Sequence, residues 1–194
     1  MEIIIYNQKG GVGKSMLATQ IALHFDTTII ELDPYGMLTQ TLDDRVLKIA
    51  LDEDVPNITE GDVVYDFGGF DDIRLDIVAK KADLIIIPFN PTINSLGTTL
   101  ESYTRVKELE VPVLFIVNAF VKDSDVEDAI GFLSENTQDD IEYFTIPHTR
   151  ALQTAENEGV SIIEFANSSG LKKHTYKKIS NTMNNLMIKI EEYL

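Results

Sequence analysis

The stretch from Asn7 to Ser15 holds residues whose types and spacing suit phosphate chemistry. It reads Asn-Gln-Lys-Gly-Gly-Val-Gly-Lys-Ser and lies between the apolar run Ile3 to Ile5 and a helix-like segment from Met16 to Phe25. A glycine-rich turn between a strand and a helix lets backbone N–H groups converge on a polyphosphate, and the helix N-terminus adds roughly half a positive charge. Lys14 would reach the terminal phosphates, and the Ser15 hydroxyl would bind Mg²⁺. The expected ligand is a nucleotide with Mg²⁺.

Two further carboxylates end predicted strands. A strand from Thr27 to Leu32 stops at Asp33, which is followed by Pro and Tyr-Gly, and a strand from Asp62 to Asp66 is followed by a glycine pair two residues later. Parallel strands keep their ligands at their carboxyl ends, so both carboxylates are expected near the phosphate loop. Asp66 matches the second acidic element of phosphate-loop NTPases, which holds Mg²⁺ through water. Asp33 could instead only cap the loop that follows its strand.

The elements that must position these residues alternate along the chain. Strands are predicted at 2–6, 27–32, 62–66, 83–88, 113–117 and 141–146, and helices at 14–25, 38–42, 72–81, 93–109, 123–135 and 171–193, with a loop from Leu51 to Glu60. Continuous apolar runs between helices are typical of a parallel sheet covered on both faces. We therefore expect a single α/β domain over 1–194, P-loop NTPase-like, with a mostly parallel twisted sheet and helices on both faces.

Composition narrows the possible chemistry. The 194 residues include no cysteine, which excludes disulfides, thiolate catalysis and iron–sulfur clusters. No apolar stretch approaches membrane-spanning length and no signal sequence is evident, so a cytoplasmic protein is expected. The formal net charge is −16, but residues 170–194 carry five basic and two acidic side chains, a net of +3. The basic excess is therefore confined to the C-terminal end, where it could meet a nucleic acid.

The phosphate loop departs from the ordinary form in one informative way. Gln8 stands where that loop normally opens with glycine, and a second lysine, Lys9, precedes the glycine pair. This arrangement resembles the deviant Walker A loop of the ParA/MinD family of ATPases, whose extra lysine reaches across a dimer to the partner's nucleotide. A second, distant similarity runs from Ile146-Pro147 to Ile162, so the resemblance spans nearly the whole chain. The amino-acid sequence around Lys9 resembles that of the ParA branch more than that of the MinD branch.

The resemblance implies a set of site residues. Asp33 falls where ParA-like proteins have Asp-Pro-Gln-Gly, although Tyr35 replaces the Gln, and this Asp would lie near Mg²⁺ and the attacking water. Asn118 would read adenine beside Pro147, or could be an ordinary polar residue at a strand end; a GTPase would show Asn-Lys-x-Asp there, so ATP is preferred. The nucleotide-binding residues implied are Lys9, Gly10, Gly11, Val12, Gly13, Lys14, Ser15, Met16, Asn118 and Pro147. The Mg²⁺ residues implied are Ser15, Asp33 and Asp66, and the catalytic residues are Lys9, Lys14 and Asp33.

The same resemblance implies a DNA-partition ATPase with slow intrinsic turnover. ATP would join two subunits face to face, the homodimer would bind nucleoid DNA non-specifically, and hydrolysis stimulated by a centromere-binding ParB-like adaptor would separate it. Two alternatives remain open: a MinD-like ATPase that cycles on membranes, and a nucleotide sensor that does not hydrolyse.

The DNA-binding residues would be the basic side chains of the terminal helix and one neighbour. They are Arg150, Lys172, Lys173, Lys177 and Lys178. Lysine clusters neutralise phosphates, but the same cluster could simply be a solvated helix face. The apolar face of this helix is expected to pack on the sheet and not to enter a membrane, because Glu191 and Glu192 carry the wrong charge for anionic lipid.

Overall fold

The computed structural model describes residues 1–56, 58 and 61–194. The strands are β1 Glu2–Ile5, β2 Thr28–Glu31, β3 Val46–Lys48, β4 Val63–Asp66, β5 Leu84–Phe89, β6 Val113–Phe120 and β7 Tyr143–Pro147. The helices are α1 Lys14–Phe25, α2 Leu75–Val78, α3 Ile93–Lys107, α4 Asp123–Thr137, α5 Ala151–Asn157, α6 Ile162–Asn167, α7 Gly170–Thr175 and α8 Lys177–Glu191, with 3-10 turns at Leu38–Gln40 and Asp43–Arg45. None of the helices in these ranges has the length and apolar character needed to cross a bilayer.

The strands form one sheet in the order β3-β2-β4-β1-β5-β6-β7, and every pair is parallel. The expectation of a mostly parallel sheet is therefore confirmed in a stricter form. The chain leaves β1 for strands on one side and later crosses to β5 on the other. This reversal places the loop after β1 at a topological switch point, where doubly wound sheets bind ligands.

Helices cover both faces of the sheet, as the continuous apolar strands predicted. One core lies between the sheet and the α1, α5, α6 and α8 side, where Leu17 and Met183 are fully buried. The other lies under α2, α3 and α4 and includes Leu75, Val106 and Leu133. Because successive strand residues point to opposite faces, β1 contributes Ile3 and Ile5 to the first core and Ile4 to the second.

The predicted terminal helix over 171–193 is wrong as a single element. It is two helices, α7 and α8, broken at Tyr176, whose backbone leaves the helical region at φ −103° and ψ 9°. The break lets the Tyr176 ring pack on Phe165 of α6 at a centroid distance of 5.1 Å. The helix is therefore interrupted by tertiary packing, since the sequence has neither glycine nor proline at the break. The apolar face of α8 does pack on the sheet, as expected.

Other elements differ in extent from the sequence prediction. The helix predicted over 72–81 is only the short α2, since the Asp72 side chain accepts from the N–H of Arg74 and turns the chain there. The strand predicted to end at 117 continues as β6 to Phe120, so Asn118 lies within a strand, next to a bulge at Ala119 with φ 56°. β3, α5 and α6 had no counterpart among the predicted elements. The predicted loop from Leu51 to Glu60 lies partly outside the described residues.

Glu156 of α5 is a half-buried acid whose Oε1 is buried with no hydrogen-bond partner in the described structure. Burial raises the pKa of this carboxyl to about 7. The folded state therefore holds the proton of Glu156 more tightly than the unfolded chain does. The stabilisation that comes from this bound proton is fully present below pH 4.5 and is lost as the pH rises through about 7. We expect Glu156→Gln to raise the free energy of unfolding at pH 8 by about 1–3 kcal/mol, and by little at pH 5. Urea unfolding at both pH values measures this difference.

The matched control is Glu135→Gln, on the exposed surface of α4. It should change stability equally little at both pH values. An effect of Glu156→Gln that is the same at pH 5 and pH 8 would contradict a buried titrating carboxyl.

Candidate active site

The phosphate loop is anchored from below by Asn7, which is fully buried. Its Nδ2 donates to the Pro88 carbonyl at 2.9 Å and to the Thr99 hydroxyl at 3.0 Å, and its Oδ1 accepts from the N–H of Lys9 at 2.8 Å. The Ser102 hydroxyl accepts from the N–H of Gln8 at 2.9 Å. These bonds fix the start of the loop to β5 and α3, so the glycines that follow are presented at the carboxyl edge of the sheet.

The lysine and the last glycine of the loop are set by close contacts. Lys14 is 6% exposed and its Nζ donates to the Lys9 carbonyl at 2.9 Å, so the ammonium lies under the loop that would hold the phosphates. Burial lowers the pKa of Lys14, while the charges of Asp66 and Asp33 oppose that shift. Gly13 has φ 101°, and a Cβ there would lie 2.2 Å from Nδ2 of Asn118. Only glycine fits where α1 begins.

Asp66 lies at the end of β4 with no exposed surface, and neither of its carboxylate oxygens has a hydrogen-bond partner in the described residues. Burial raises its pKa to about 7, and Glu31 and Asp33 act in the same direction. The Ser15 side chain and Lys14 lower it, although the Ser15 hydroxyl forms no well-aligned hydrogen bond with the carboxylate. An unpartnered buried carboxylate is costly, which indicates a site shaped for a cation or a water held by one.

Asp33 lies two residues after the end of β2 and is half-buried, and its Oδ1 accepts from the N–H of Tyr35 at 2.9 Å. Its charge acts on both Lys14 and Asp66. The fold therefore brings the two predicted acids, the loop lysine and Ser15 to one edge. The Tyr35 side chain, in the position where ParA-like proteins have Gln, is 89% exposed.

The oxygen donors at this edge fit Mg²⁺ as it is bound in nucleotide sites. Among residues 1–56, 58 and 61–194 no group of three or more His, Asp or Glu side chains could hold a metal by itself. Mg²⁺ takes one or two protein oxygens and fills its octahedron with phosphate oxygens and water. Ser15 and the orphaned carboxylate of Asp66 are oxygen donors of this kind, so they would hold the ion when a nucleotide is present.

Asn118 and Pro147 lie on the adjacent strands β6 and β7. Nδ2 of Asn118 donates to the Val12 carbonyl at 2.8 Å, so this side chain contacts the phosphate loop directly. Phe120 pairs with Pro147, and its carbonyl accepts from the N–H of His148 at 2.8 Å. The two residues expected to flank a base are thus on neighbouring strands, and Asn118 is the one that contacts the loop.

Three buried or half-buried charged residues at this edge were not predicted. Glu31 is fully buried at the end of β2, with Lys48 of β3 beside it. Arg74, 5% exposed, pairs with Asp72 at 2.6 Å and donates to the carbonyls of Leu32 at 3.0 Å and Ala50 at 2.8 Å. A carboxylate inside the apolar run of β2 was the only sequence signal for Glu31. No sequence signal singled out Lys48 or Arg74, since their partners come from other strands and loops.

Four of the predicted basic residues line two clefts, and the fifth is engaged within the protein. Lys173 and Lys177 line a cleft with α6, whereas Arg150 and Lys178 line a second cleft beside the end of β7. Lys172 is engaged within the protein: its Nζ lies 3.2 Å from the Glu158 carboxylate and 3.7 Å from the centre of the Phe165 ring.

A family model described as the CobQ/CobB/MinD/ParA nucleotide binding domain matches residues 3–162. The chain is a member of this family. The match includes the phosphate loop, both strand-end acids, Asn118 and the α5 region, so the resemblance seen in the sequence is confirmed. Members of the ParA/MinD group are P-loop ATPases, and the seven-stranded parallel sheet is their fold. No curated protein sequence matches the chain.

Solved structures share this fold at low sequence identity. MinD complexed with Mg-ADP from Pyrococcus horikoshii OT3 has a TM-score of 0.68 at 14% identity, covering 97% of this chain and 95% of its own. A ParA family ATPase from Chlorobium tepidum TLS has a TM-score of 0.64 at 18% identity, covering 96% and 98%. A protein named as a candidate for plasmid partition in Borrelia burgdorferi B31, bound to AMPPNP, has a TM-score of 0.62 at 16% identity, covering 95% and 98%. At these identities the likeness is one of fold.

Proposed function

We propose that this member of the family hydrolyses ATP with Mg²⁺ and uses the cycle to bind and release DNA, as a small ParA-like partition ATPase. The proposal of ATP hydrolysis rests on the Asp66 carboxylate, which is buried without a hydrogen-bond partner. It lies beside Asp33, Lys14 and Ser15 under an exposed glycine loop. Neighbours of the same fold contain Mg-ADP or AMPPNP. Phosphoryl transfer needs mainly positioning and charge neutralisation, and this group of residues offers both.

The residues of the site have different roles in the proposed reaction. The loop backbone from Gly10 to Ser15 and the Lys14 ammonium would bind the phosphates, and Asp33 would orient the attacking water. Mg²⁺, held by Ser15 and through water by Asp66, would neutralise charge on the phosphate oxygens. Asn118 and Pro147 would flank the base. No strong general base lies among these residues, so slow intrinsic turnover, raised by a ParB-like adaptor, follows from the proposal.

Exposed apolar side chains support a homodimer that closes over the nucleotides. Tyr35, Ile73, Ile93 and Val121 follow β2, β4, β5 and β6, and they are between 76% and 89% exposed. All four therefore lie on the edge that carries the phosphate loop, where a second subunit would cover them. In the described part of the chain Lys9 has no ion-pair partner, so its ammonium is available to cross to the other subunit.

DNA binding is favoured over membrane cycling by the packing of α8. Its apolar residues Ile179, Met183, Leu186 and Ile190 are buried in the core, so this face is not available to lipid. The lysines on the outer side of α7 and α8 are exposed. The location that fits this proposal is the cytoplasm, in association with the nucleoid.

The DNA proposal is tested by retention of DNA in ATP, ADP and no nucleotide at two salt concentrations, with phosphate release measured in parallel. We expect ATP-dependent retention that falls steeply with salt. The double variants Arg150→Gln with Lys178→Gln, and Lys173→Gln with Lys177→Gln, should each reduce the salt slope by about two, because each lysine or arginine that contacts a phosphate contributes about one. Phosphate release without DNA should be unchanged.

Lys172→Gln serves as the matched control, since its ammonium is held by Glu158 and Phe165. It should affect retention less than either double variant. Retention that is independent of nucleotide, or that survives both double variants, would remove the DNA role; absence of phosphate release under every condition would favour the non-hydrolysing sensor.

A further inference from the structure

Glu31 is a buried carboxylate beside the Mg²⁺ acid. It has no exposed surface, and in the sheet its Cα pairs with Asp66 of β4 on one side and Lys48 of β3 on the other. Burying a charged carboxylate costs several kcal/mol unless it is paired and hydrogen-bonded. The partners that compensate this cost therefore show what the residue holds in place.

Both partners lead to the segment that carries Asp33. Oε1 of Glu31 accepts from the N–H of Leu38 at 2.9 Å, and Oε2 lies 3.5 Å from Nζ of Lys48. The same Lys48 ammonium donates to the Gly36 carbonyl at 2.5 Å. The ion pair between β2 and β3 thus contacts the 33–38 segment at two points, once through an N–H and once through a carbonyl.

Gly36 allows this contact. A Cβ at that position would lie 2.2 Å from Oε1 of Glu31 and 2.6 Å from its Cδ. Because φ of Gly36 is not in the left-handed region, the glycine is needed for the close approach of the carboxylate. The segment is therefore seated directly on Glu31.

The other end of the segment is fixed as well. Arg74 donates to the Leu32 carbonyl at 3.0 Å, immediately before Asp33, and its guanidinium is buried against Asp72. With Leu32 held from one side and Gly36 and Leu38 from the other, the position of Asp33 between them is determined by contacts outside its own strand.

We propose that Glu31 and Lys48 are positioning residues for ATP hydrolysis, holding the 33–38 segment so that the Asp33 carboxylate faces the phosphate site. Neither touches the phosphates; they act through the backbone of Gly36 and Leu38. This inference rests on the proposed function, in which Asp33 orients water. Misplacing a reacting group by about 1 Å can cost roughly a hundredfold in rate, so loosening the segment should be visible in turnover.

The test is Lys48→Met, with Lys48→Arg as the conservative variant. Lys48→Met should lower kcat roughly ten- to a hundredfold while the Kd for a fluorescent ATP analogue changes by less than about threefold, because binding by the loop is not involved. Amide hydrogen exchange should become faster at Leu38 and Gly36 and stay unchanged in β4. Lys48→Arg should restore both kcat and protection, since its guanidinium can pair with Glu31.

Lys107→Met, at the end of α3, removes an exposed ion pair with Asp139 and controls for the loss of a surface cation. Gly36→Ala is a second variant that displaces the segment without removing a charge, and it should give the same kinetic signature. Unchanged kcat or unchanged exchange in Lys48→Met would overturn the inference. If the wild-type protein binds ATP but releases no phosphate, the proposed function fails while exchange still tests the hold: faster exchange at Leu38 in Lys48→Met supports it, and unchanged exchange overturns it.

Discussion

Lys14→Ala is expected to weaken ATP binding about 10- to 100-fold and to lower hydrolysis by a further factor of roughly 10² to 10³. Hydrogen bonds to charged groups contribute about 1.5–3 kcal/mol, and loss of a preorganised donor to developing charge costs two to three orders of magnitude in rate. The structure gives the reason for the large effect: the ammonium is buried, lies 2.9 Å from the Lys9 carbonyl, and has the charges of Asp66 and Asp33 near it, which oppose the lowering of its pKa by burial. No other lysine among the described residues is buried at this edge.

The measurements are titration calorimetry with ATP and Mg²⁺, followed by phosphate release. Lys80→Ala, an exposed cation remote from the loop, is the control and should behave as wild type. Thermal unfolding without nucleotide separates lost binding from lost folding. Nucleotide affinity within twofold of wild type in a folded Lys14→Ala protein would exclude the loop as the phosphate site.

Lys9→Ala is expected to leave nucleotide affinity within about threefold and to abolish ATP-dependent dimerisation. A ligand shifts an equilibrium only by its differential interaction with the two states, and a lysine that contacts the partner's phosphates supplies that difference. The Lys9 backbone positions the loop through the N–H that binds Asn7 and the carbonyl that binds Lys14, and both survive the substitution. Sedimentation velocity in ATP and in ADP measures the dimer.

Lys122→Ala, another exposed cation after a strand at the same edge, is the matched control and should dimerise normally. ATP-dependent dimers of Lys9→Ala at wild-type protein concentration would show that the crossing lysine is not what joins the subunits. Loss of nucleotide binding in this variant would instead place the Lys9 side chain in its own subunit's phosphate site.

Much of the site could be predicted because it depends on short-range sequence. The loop from Lys9 to Ser15 is one uninterrupted segment between a strand and a helix, and Asp33 and Asp66 directly follow apolar runs. Parallel strands bring their carboxyl ends to one edge whatever the details of packing, so these residues had to converge once the strands formed. The adenine role of Asn118 stays a prediction; its contact with Val12 is what the structure adds.

The break at Tyr176, by contrast, could not be predicted, because it depends on the position of Phe165 in another helix. The clefts that the basic residues line are also formed by several elements, α6 with α7 and α8 in one case and the β7–α5 turn with α8 in the other. Likewise, Lys172 looked like its neighbours in the sequence and differs only because Glu158 and Phe165 lie next to it.

The sequence by itself determined the family, the parallel sheet and the loop that would bind phosphate, because strand periodicity and glycine spacing are local properties of the chain. Only the tertiary structure decided how Asp33 is held. Glu31 and Gly36, Lys48, and Arg74 come from three separate stretches of sequence, and their contacts exist only once β2, β3 and β4 lie side by side. The partner of a buried charge is set by the three-dimensional arrangement of the strands, and the spacing of residues along the chain does not specify it.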